Sequence, residues 1–538
     1  MKTNLFLCLL LAIFQSVVLA NANSMQQQRR ADGDTSKINL FEGLKLQQQQ
    51  YYTDKSNSPG FTTENGAPSS GYFNIQRAGQ DGPLLMQSTQ LIDSLAHFVR
   101  ERLAERIVHA RGWGAWGKFH ITTDFAEKYS FAPAFKKGAV HPILMRFSTV
   151  GGQSGSPDVA RDPRGFAIKI KTKQGVLDWV FNNTPVFFIR NPLKFPVFIH
   201  TQKTNPQTNE RDPNMVFDYL WQNPEASLQF MRLFSDLGTP YGARHMNGWS
   251  GHTYRLVKQD GSWVYVKVQL FTDQGIKNFT AAEATKTGGE NQEWATKDLF
   301  DAIESKNYPS WTVKFAIKTP EEAAKYRYNV NDLTKDWFDA EWHEVGKMTL
   351  NQNPRNYFDE IEQAHFSPSN MVPGWAPSED PVLQSRLFSY NDAGRYRLGA
   401  NYHKLPVNCP FSTVGNYDRS GLMTSTGDFG NQPNYPSSAG TYKPASQSDT
   451  VAPIIKLHRN ATIETYVGEA TDIDYEQPRY FYQHLSKQDK TNLYSNFAGA
   501  LAKVTQPNVV DNVLKMFNKI DPKLASGVRA AIAVAKKG

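Results

Sequence analysis

Apolar residues are laid down along this chain in successive patterns, each with its own period. The first is a block: Leu5 to Leu19 is mostly apolar, follows Lys2, and is succeeded by small residues at Ala20 and Ala22. That is the layout of a secretory signal peptide over residues 1–22, and the block falls short of the ~20 residues needed to span a bilayer. Residues 23–90 are largely polar, with a glutamine run at Gln47 to Gln50, and are expected to form an extended N-terminal arm. A helical period starts at Thr89: Leu91, Leu95, Phe98 and Leu103 share one face of a segment expected to run to Arg106. Period two then takes over. Phe166, Ile168 and Ile170 alternate with Ala167, Lys169 and Lys171, and Trp311, Val313, Phe315 and Ile317 alternate likewise. Asp260-Gly261 lies between the runs Thr253–Lys258 and Ser262–Phe271, a strong hairpin signal. Such strands predict an antiparallel sheet closed into a barrel within residues 91–350. Residues 351–470 are rich in Pro, Gly, Asn and Ser and are expected to wrap other elements. Helical spacing returns over 471–538, where Leu493, Phe497 and Leu501 share a face and Val510, Val513, Leu514 and Phe517 share another. The fold class is α+β.

Composition narrows the partners. The formal charge is +8, but the basic residues are spread out and form no nucleic-acid-binding arm. No second long apolar run follows the first, so no membrane segment is expected in the mature chain. Of the two cysteines, Cys8 falls within the signal and Cys409 is left alone, which excludes an intrachain disulfide after cleavage. Core burial, a ligand or subunit contacts must then hold the fold. Asn278-Phe279-Thr280 and Asn460-Ala461-Thr462 are glycosylation acceptors in the secretory route. These features together predict a secreted glycoprotein.

Candidate chemistry comes from single residues that are ambiguous one at a time. Gly112-Trp113-Gly114-Ala115-Trp116-Gly117 matches a dinucleotide-binding pattern. The charged stretch before it is no buried strand, and two tryptophans crowd the position where phosphate would approach, which favours a structural turn. HExxH, CxxC and CxxCH are absent, so zinc-protease, thioredoxin-like and covalently attached haem readings lack support. Arg386 and Tyr390 are four apart, which on a helix places a guanidinium beside a phenol and favours the phenolate. Ile107-Val108-His109-Ala110-Arg111 sets one His between apolar neighbours, an arrangement met more often in a core than in a catalyst. Asn182 formally accepts glycosylation but adjoins an apolar run that should bury it.

Together these segments resemble the haem catalases, with order and spacing matching from about Phe98 to about Tyr402. The resemblance is carried by RERLAERIVHARGWGAWG, RFSTVGGQSGSPDVARDPRGFAIK, FNNTPVFFIRNPLKFPVFIH, RHMNGWSGHTY and RLFSYNDAGRYRLGAN. The length is similar to the shorter-subunit catalases. It implies the catalase fold: an N-terminal arm, an eight-stranded antiparallel β-barrel that binds haem (91–350), a wrapping connection carrying the proximal-ligand helix (351–470) and a C-terminal helical domain (471–538). The implied activity is haem-dependent disproportionation of hydrogen peroxide to water and dioxygen, in a homotetramer. By resemblance, Tyr390 is the axial iron ligand, and the tyrosine ligation of catalase is itself the standard example of this ligand type. Arg386 would hold it as phenolate. His109 would be the distal acid–base, Asn182 would orient peroxide, and Ser148 would hold the imidazole of His109. Arg106, Arg146 and Arg397 match haem-propionate partners, and Phe195 matches an aromatic on the haem face. Val150 and Asp162 match the access channel, and His245 and Asp380 match a buried pair near the proximal helix.

Departures from the family pattern carry expectations too. Where some shorter-subunit catalases bind NADPH through cationic side chains, this chain has Leu228, Leu237 and Asp339, so tight NADPH binding is not expected. Trp113 and Trp116 are bulkier than the family's usual residues, and Gly394 replaces its usual His. Two other readings compete. A catalase-related allene oxide synthase would share fold, haem and Tyr ligand, but has Thr before the distal His where this chain has Val108. A non-catalytic secreted protein on the same fold would have no use for Tyr390, Arg386, His109, Asn182 and Ser148 together.

Overall fold

Alternating segments become strands wherever one face can be buried against the interior of a closed sheet. A computed structural model of the chain describes residues 60–424, 431–438, 442, 445, 465, 468 and 470–537. The expected signal segment, Cys8, the arm before residue 60 and the Asn460 acceptor lie outside these residues. Residues up to Arg102 make up one compact unit and those from Leu103 a second. In the first unit, isolated bridges join Thr62 to Pro68 and Arg77 to Leu84, and one helix, α1 (Thr89–Phe98), follows. The helix stops eight residues short of Arg106, the expected end. The reason lies at Arg106 itself, which reaches the carbonyls of Glu362 (2.8 Å) and Ala364 (2.9 Å) from extended chain.

The second unit is built on one antiparallel sheet. Its strands are β1 (Gly112–Ile121), β2 (Val140–Ser148), β3 (Gly165–Thr172), β4 (Gly175–Asn182), β5 (Gly248–Trp249), β6 (Tyr254–Val257), β7 (Trp263–Thr272), β8 (Ser310–Lys318), β9 (His343–Gln352) and β10 (Trp375–Pro377). The order β10-β6-β7-β5-β4-β3-β2-β1-β9-β8 is closed by β7 pairing with β8. Strands β5 and β6 pair along different parts of β7 and act as one interrupted strand, so the ring is an eight-stranded barrel. The β6–β7 hairpin turns at Asp260-Gly261 as expected, with Gly261 at φ 88°. The GxGxxG segment is not a turn: Gly112 to Gly117 lies in β1. A Cβ at Gly114 would collide with the Met145 carbonyl, and one at Gly117 with the Thr349 carbonyl. The glycines therefore serve close strand packing.

Two cores follow. Inside the barrel, Trp179, Trp375, Phe135 and Phe315 pack edge and face against one another, with ring centroids 5.5–6.3 Å apart. Outside it, helices α2 (Lys194–Gln202), α3 (Pro213–Gln222) and α4 (Ser227–Phe234) leave the barrel between β4 and β5. Their apolar faces share a core with the C-terminal helices α9 (Ile473–His484), α10 (Lys487–Leu501), α11 (Pro507–Ile520) and α12 (Pro522–Ala535). Phe234 and Phe497 stack there at 4.4 Å. Between β7 and β9 lie α5 (Ala281–Glu290), α6 (Trp294–Glu304) and the short α7 (Pro320–Lys325). The described part of 351–470 is mostly irregular, and its main element is α8 (Pro381–Leu398). Asp380 caps α8 by accepting from the amides of Val382 (2.9 Å) and Leu383 (3.1 Å), Pro381 takes the first helical position, and Gly399 ends it at φ 90°.

Candidate active site

Strand β2 delivers the side chains that grip His109. Ser148 and Arg146 are two residues apart and so face the same way. Ser148 Oγ lies 2.9 Å from His109 Nδ1. Arg146 donates to the carbonyls of His109 (3.0 Å) and Ala110 (3.2 Å). His109 stands at φ 62°, a left-handed backbone rare for a residue with a side chain. Gly165, which pairs with Ser148 across β2 and β3, keeps the ring pocket open, because a Cβ there would strike both Ser148 Oγ and His109. Burial, reinforced by Arg146, Arg386 and Arg106, pushes His109 down to about 3, so the imidazole is neutral at ordinary pH.

Val150 bonds the same histidine directly, and Asp162 holds Val150. The His109 amide donates to Val150 O (3.0 Å), and Asp162 Oδ2 accepts from the amides of Val150 (2.6 Å) and Gly151 (2.7 Å). The two residues assigned to the channel are thus tied by backbone hydrogen bonds to His109. Burial raises Asp162 above the usual carboxylate range. Asn182 is the last residue of β4, and its Nδ2 is buried with no hydrogen-bond partner. A buried amide donor without an acceptor is costly unless a ligand supplies one. Phe195, in the first turn of α2, stacks near Phe187 with centroids 6.5 Å apart.

On the other side, α8 presents Tyr390 and Arg386 one turn apart. Arg386 Nη2 donates to Tyr390 Oη (2.8 Å) and to Val180 O (3.0 Å), and the guanidinium lies over the Tyr390 ring. Burial works against the charge of Arg386, but Tyr390, Tyr254 and Asp380 outweigh it and raise its pKa. The partner of Asp380 is His252, whose Nδ1 lies 2.6 Å from Asp380 Oδ2 with both side chains buried. The expected pairing with His245 is therefore corrected: His245 Nδ1 faces Gly275 O (2.9 Å) instead. Both histidines belong to the RHMNGWSGHTY segment, and only the fold separates them. His252 precedes β6, which pairs with β10, and β10 ends four residues before α8 begins; His245 lies in the turn before β5.

Arg106 and Arg397 converge on one carboxylate, with Arg146 close enough to feel its charge. Glu362 accepts from Arg106 (3.2 Å) and Arg397 (2.6 Å). Burial lowers all three guanidiniums, and repulsion from Arg106 adds to it at Arg146, lowered to about 9, and at Arg397, lowered to about 10. Three partly desolvated cations around one carboxylate leave an excess of positive charge that suits a dianionic ligand such as the two propionates of haem. With the Tyr390 phenol supported by arginine on one side and a neutral imidazole and a free amide on the other, the residues fit that group. Glu362 and His252 escaped the sequence reading because neither has a local signature. His365 did too: its ring fills the space over Gly394 and its Nε2 is buried without a partner.

The comparisons agree with this geometry. A family model described as Catalase matches residues 62–441, and one described as Catalase-related immune-responsive matches 469–532. The chain is 48% identical over 490 residues to a catalase of Schizosaccharomyces pombe, covering 89% of this chain and 94% of that one. It is 46% identical over 494 residues to peroxisomal catalase A of Saccharomyces cerevisiae, with coverage of 89% and 94%. A crystal structure described as a fungal catalase superposes with a TM-score of 0.87 at 46% identity, covering 90% of this chain and 98% of that one. A bacterial catalase structure gives 0.83 at 38%, with coverage of 90% and 97%. The chain therefore belongs to the monofunctional haem catalases, in the small-subunit clade, and it decomposes hydrogen peroxide.

Proposed function

We propose that the work is divided between the two grips just described, with His109, Ser148 and Asn182 handling the substrate and Tyr390 with Arg386 holding the iron of a haem. The observation that carries this division is the pair of separate contacts Ser148–His109 (2.9 Å) and Arg386–Tyr390 (2.8 Å), each of which fixes one functional side chain. When bound, haem supplies the redox couple through which one peroxide is reduced to water and a second is oxidised to dioxygen. Arg106, Arg146 and Arg397 hold its carboxylates, and Phe195 packs on its face. With Ser148 accepting Nδ1–H, the lone pair of His109 is on Nε2, where it takes a proton from peroxide and returns it to the departing oxygen as water. Asn182 Nδ2 donates to peroxide and keeps it beside that nitrogen. Val150 and Asp162 line the approach. Asn182→Ala and Ser148→Ala test these roles through hydrogen peroxide decay per bound haem. Losses of about tenfold to a hundredfold are expected, and unchanged rates in both would remove the assignment.

Around this centre we propose the chain divisions 23–90 (arm), 91–350 (barrel), 351–470 (connection) and 471–538 (helices). A homotetramer is supported by large apolar side chains left open on α8 and at the start of α2, among them Tyr396 (80% exposed), Phe388 (71%) and Leu193 (81%), the residue just before α2. Segment 1–22 supports a secretory route, although several similar relatives are named peroxisomal catalases. Secretion calls for a mature N-terminus after Ala20 or Ala22 and for glycan on Asn278 or Asn460. N-terminal sequencing of the exported protein and its gel shift after glycosidase treatment check both. Leu228, buried in α4, and Asp339, which accepts from Tyr326 Oη (2.7 Å), support a chain without tight NADPH binding.

A further inference from the structure

Arg146 is placed to do more than meet a carboxylate. Two of its donors are spent on the backbone, at His109 O (3.0 Å) and Ala110 O (3.2 Å). These carbonyls follow directly on the left-handed His109, a backbone that a non-glycine residue keeps only when its surroundings impose it. The amide of the same residue is held by Val150 O (3.0 Å). The His109 peptide groups are thus pinned from both sides. Its ring is pinned separately by Ser148, from the same face of the same strand. The room for this arrangement is built in: Gly112 stands opposite Ser148 in the strand register, and a Cβ there would collide with Arg146 Nη2. Arg146 Nε is buried and has no partner, so the guanidinium keeps donor capacity toward the cradle it shares with Arg106 and Arg397.

We propose that Arg146 is a positioning residue that couples the seating of the haem carboxylate to the placement of the catalytic histidine, by clamping the strained His109–Ala110 backbone. This rests on the cradle reading above. Arg397 makes the natural control, because it is a second cradle arginine whose bonds go to Ala104 O (2.9 Å), Glu362 O (3.0 Å) and the Glu362 carboxylate (2.6 Å), and none to His109.

The test compares Arg146→Gln, Arg397→Gln and Gly112→Ala in haem-loaded enzyme. Gly112→Ala displaces the guanidinium without altering its charge, and serves if Arg146→Gln does not fold. The first readout is amide hydrogen exchange of residues 108–111, and the second is peroxide turnover per bound haem. Arg146→Gln and Gly112→Ala are expected to speed exchange of this segment by about tenfold or more and to lower turnover per haem, whereas Arg397→Gln lowers haem retention and leaves exchange at 108–111 unchanged. Equal exchange in all variants, with haem loss alone in Arg146→Gln, would overturn the clamp and leave Arg146 a simple carboxylate anchor. Failure of every variant to differ from wild type in haem retention would instead count against the cradle, and is a distinguishable result.

Discussion

At His109 the chain holds a titratable ring where water is excluded and cations surround it. Burial, then Arg146, Arg386 and Arg106, keep its pKa near 3. A general base is effective while it is unprotonated, so turnover limited by His109 should stay flat from about pH 5 to about pH 9 instead of falling through the ordinary histidine range near ~6.5. A steady-state pH profile of kcat/KM checks this, and an acidic limb centred near the ordinary value would contradict the environment assigned to His109. At this scale the sequence was legible where chemistry is local. Arg386 and Tyr390 are one helical turn apart in sequence and in space, and the expected hydrogen bond is present at 2.8 Å. It was not legible for His252, because only the turn of the chain into β6 decides which of two histidines in one short segment reaches Asp380.

Helix α8 shows how an element can be both essential and faint in sequence. Its polar and apolar residues do not segregate, because it buries only Val382, Leu383 and Gly394 while carrying Tyr390 and Arg386 toward the cradle. Its ends carry local signals instead: Asp380-Pro381 at one and Gly399 at the other. Asp380 caps the helix and pairs with buried His252, so Asp380→Ala removes both contacts. A loss of about 2–4 kcal/mol is expected, with weakened haem retention, and denaturant unfolding measures it. A change within about 0.5 kcal/mol would mean the pair contributes little. The β1 segment failed in the other direction. Its glycines read as a turn because glycine is common there, whereas here they answer crowding from Met145 and Thr349 on neighbouring strands, which no local pattern records.

Across the whole molecule, the barrel and the C-terminal helices have different duties. The barrel region carries His109, Ser148, Arg146 and Asn182, while Phe234, Phe497 and Phe517 pack in a second core whose edge is formed in part by Val108 and Phe195. The period-two and helical patterns made both bodies readable, but their joint core was not, since α4 and α10 lie more than two hundred residues apart. Phe497→Ala should cost about 3–5 kcal/mol of stability and leave turnover per bound haem in the folded enzyme close to wild type. A thermal melt beside an activity assay separates the two effects.

The most direct test of the central claim is dioxygen release on adding hydrogen peroxide to haem-loaded protein, compared with His109→Ala and Tyr390→Phe at equal bound haem. Rapid release by wild type and its loss in both variants is the expected result. Release that persists in His109→Ala, or that is absent from wild type with haem bound, would contradict the roles given to these two residues.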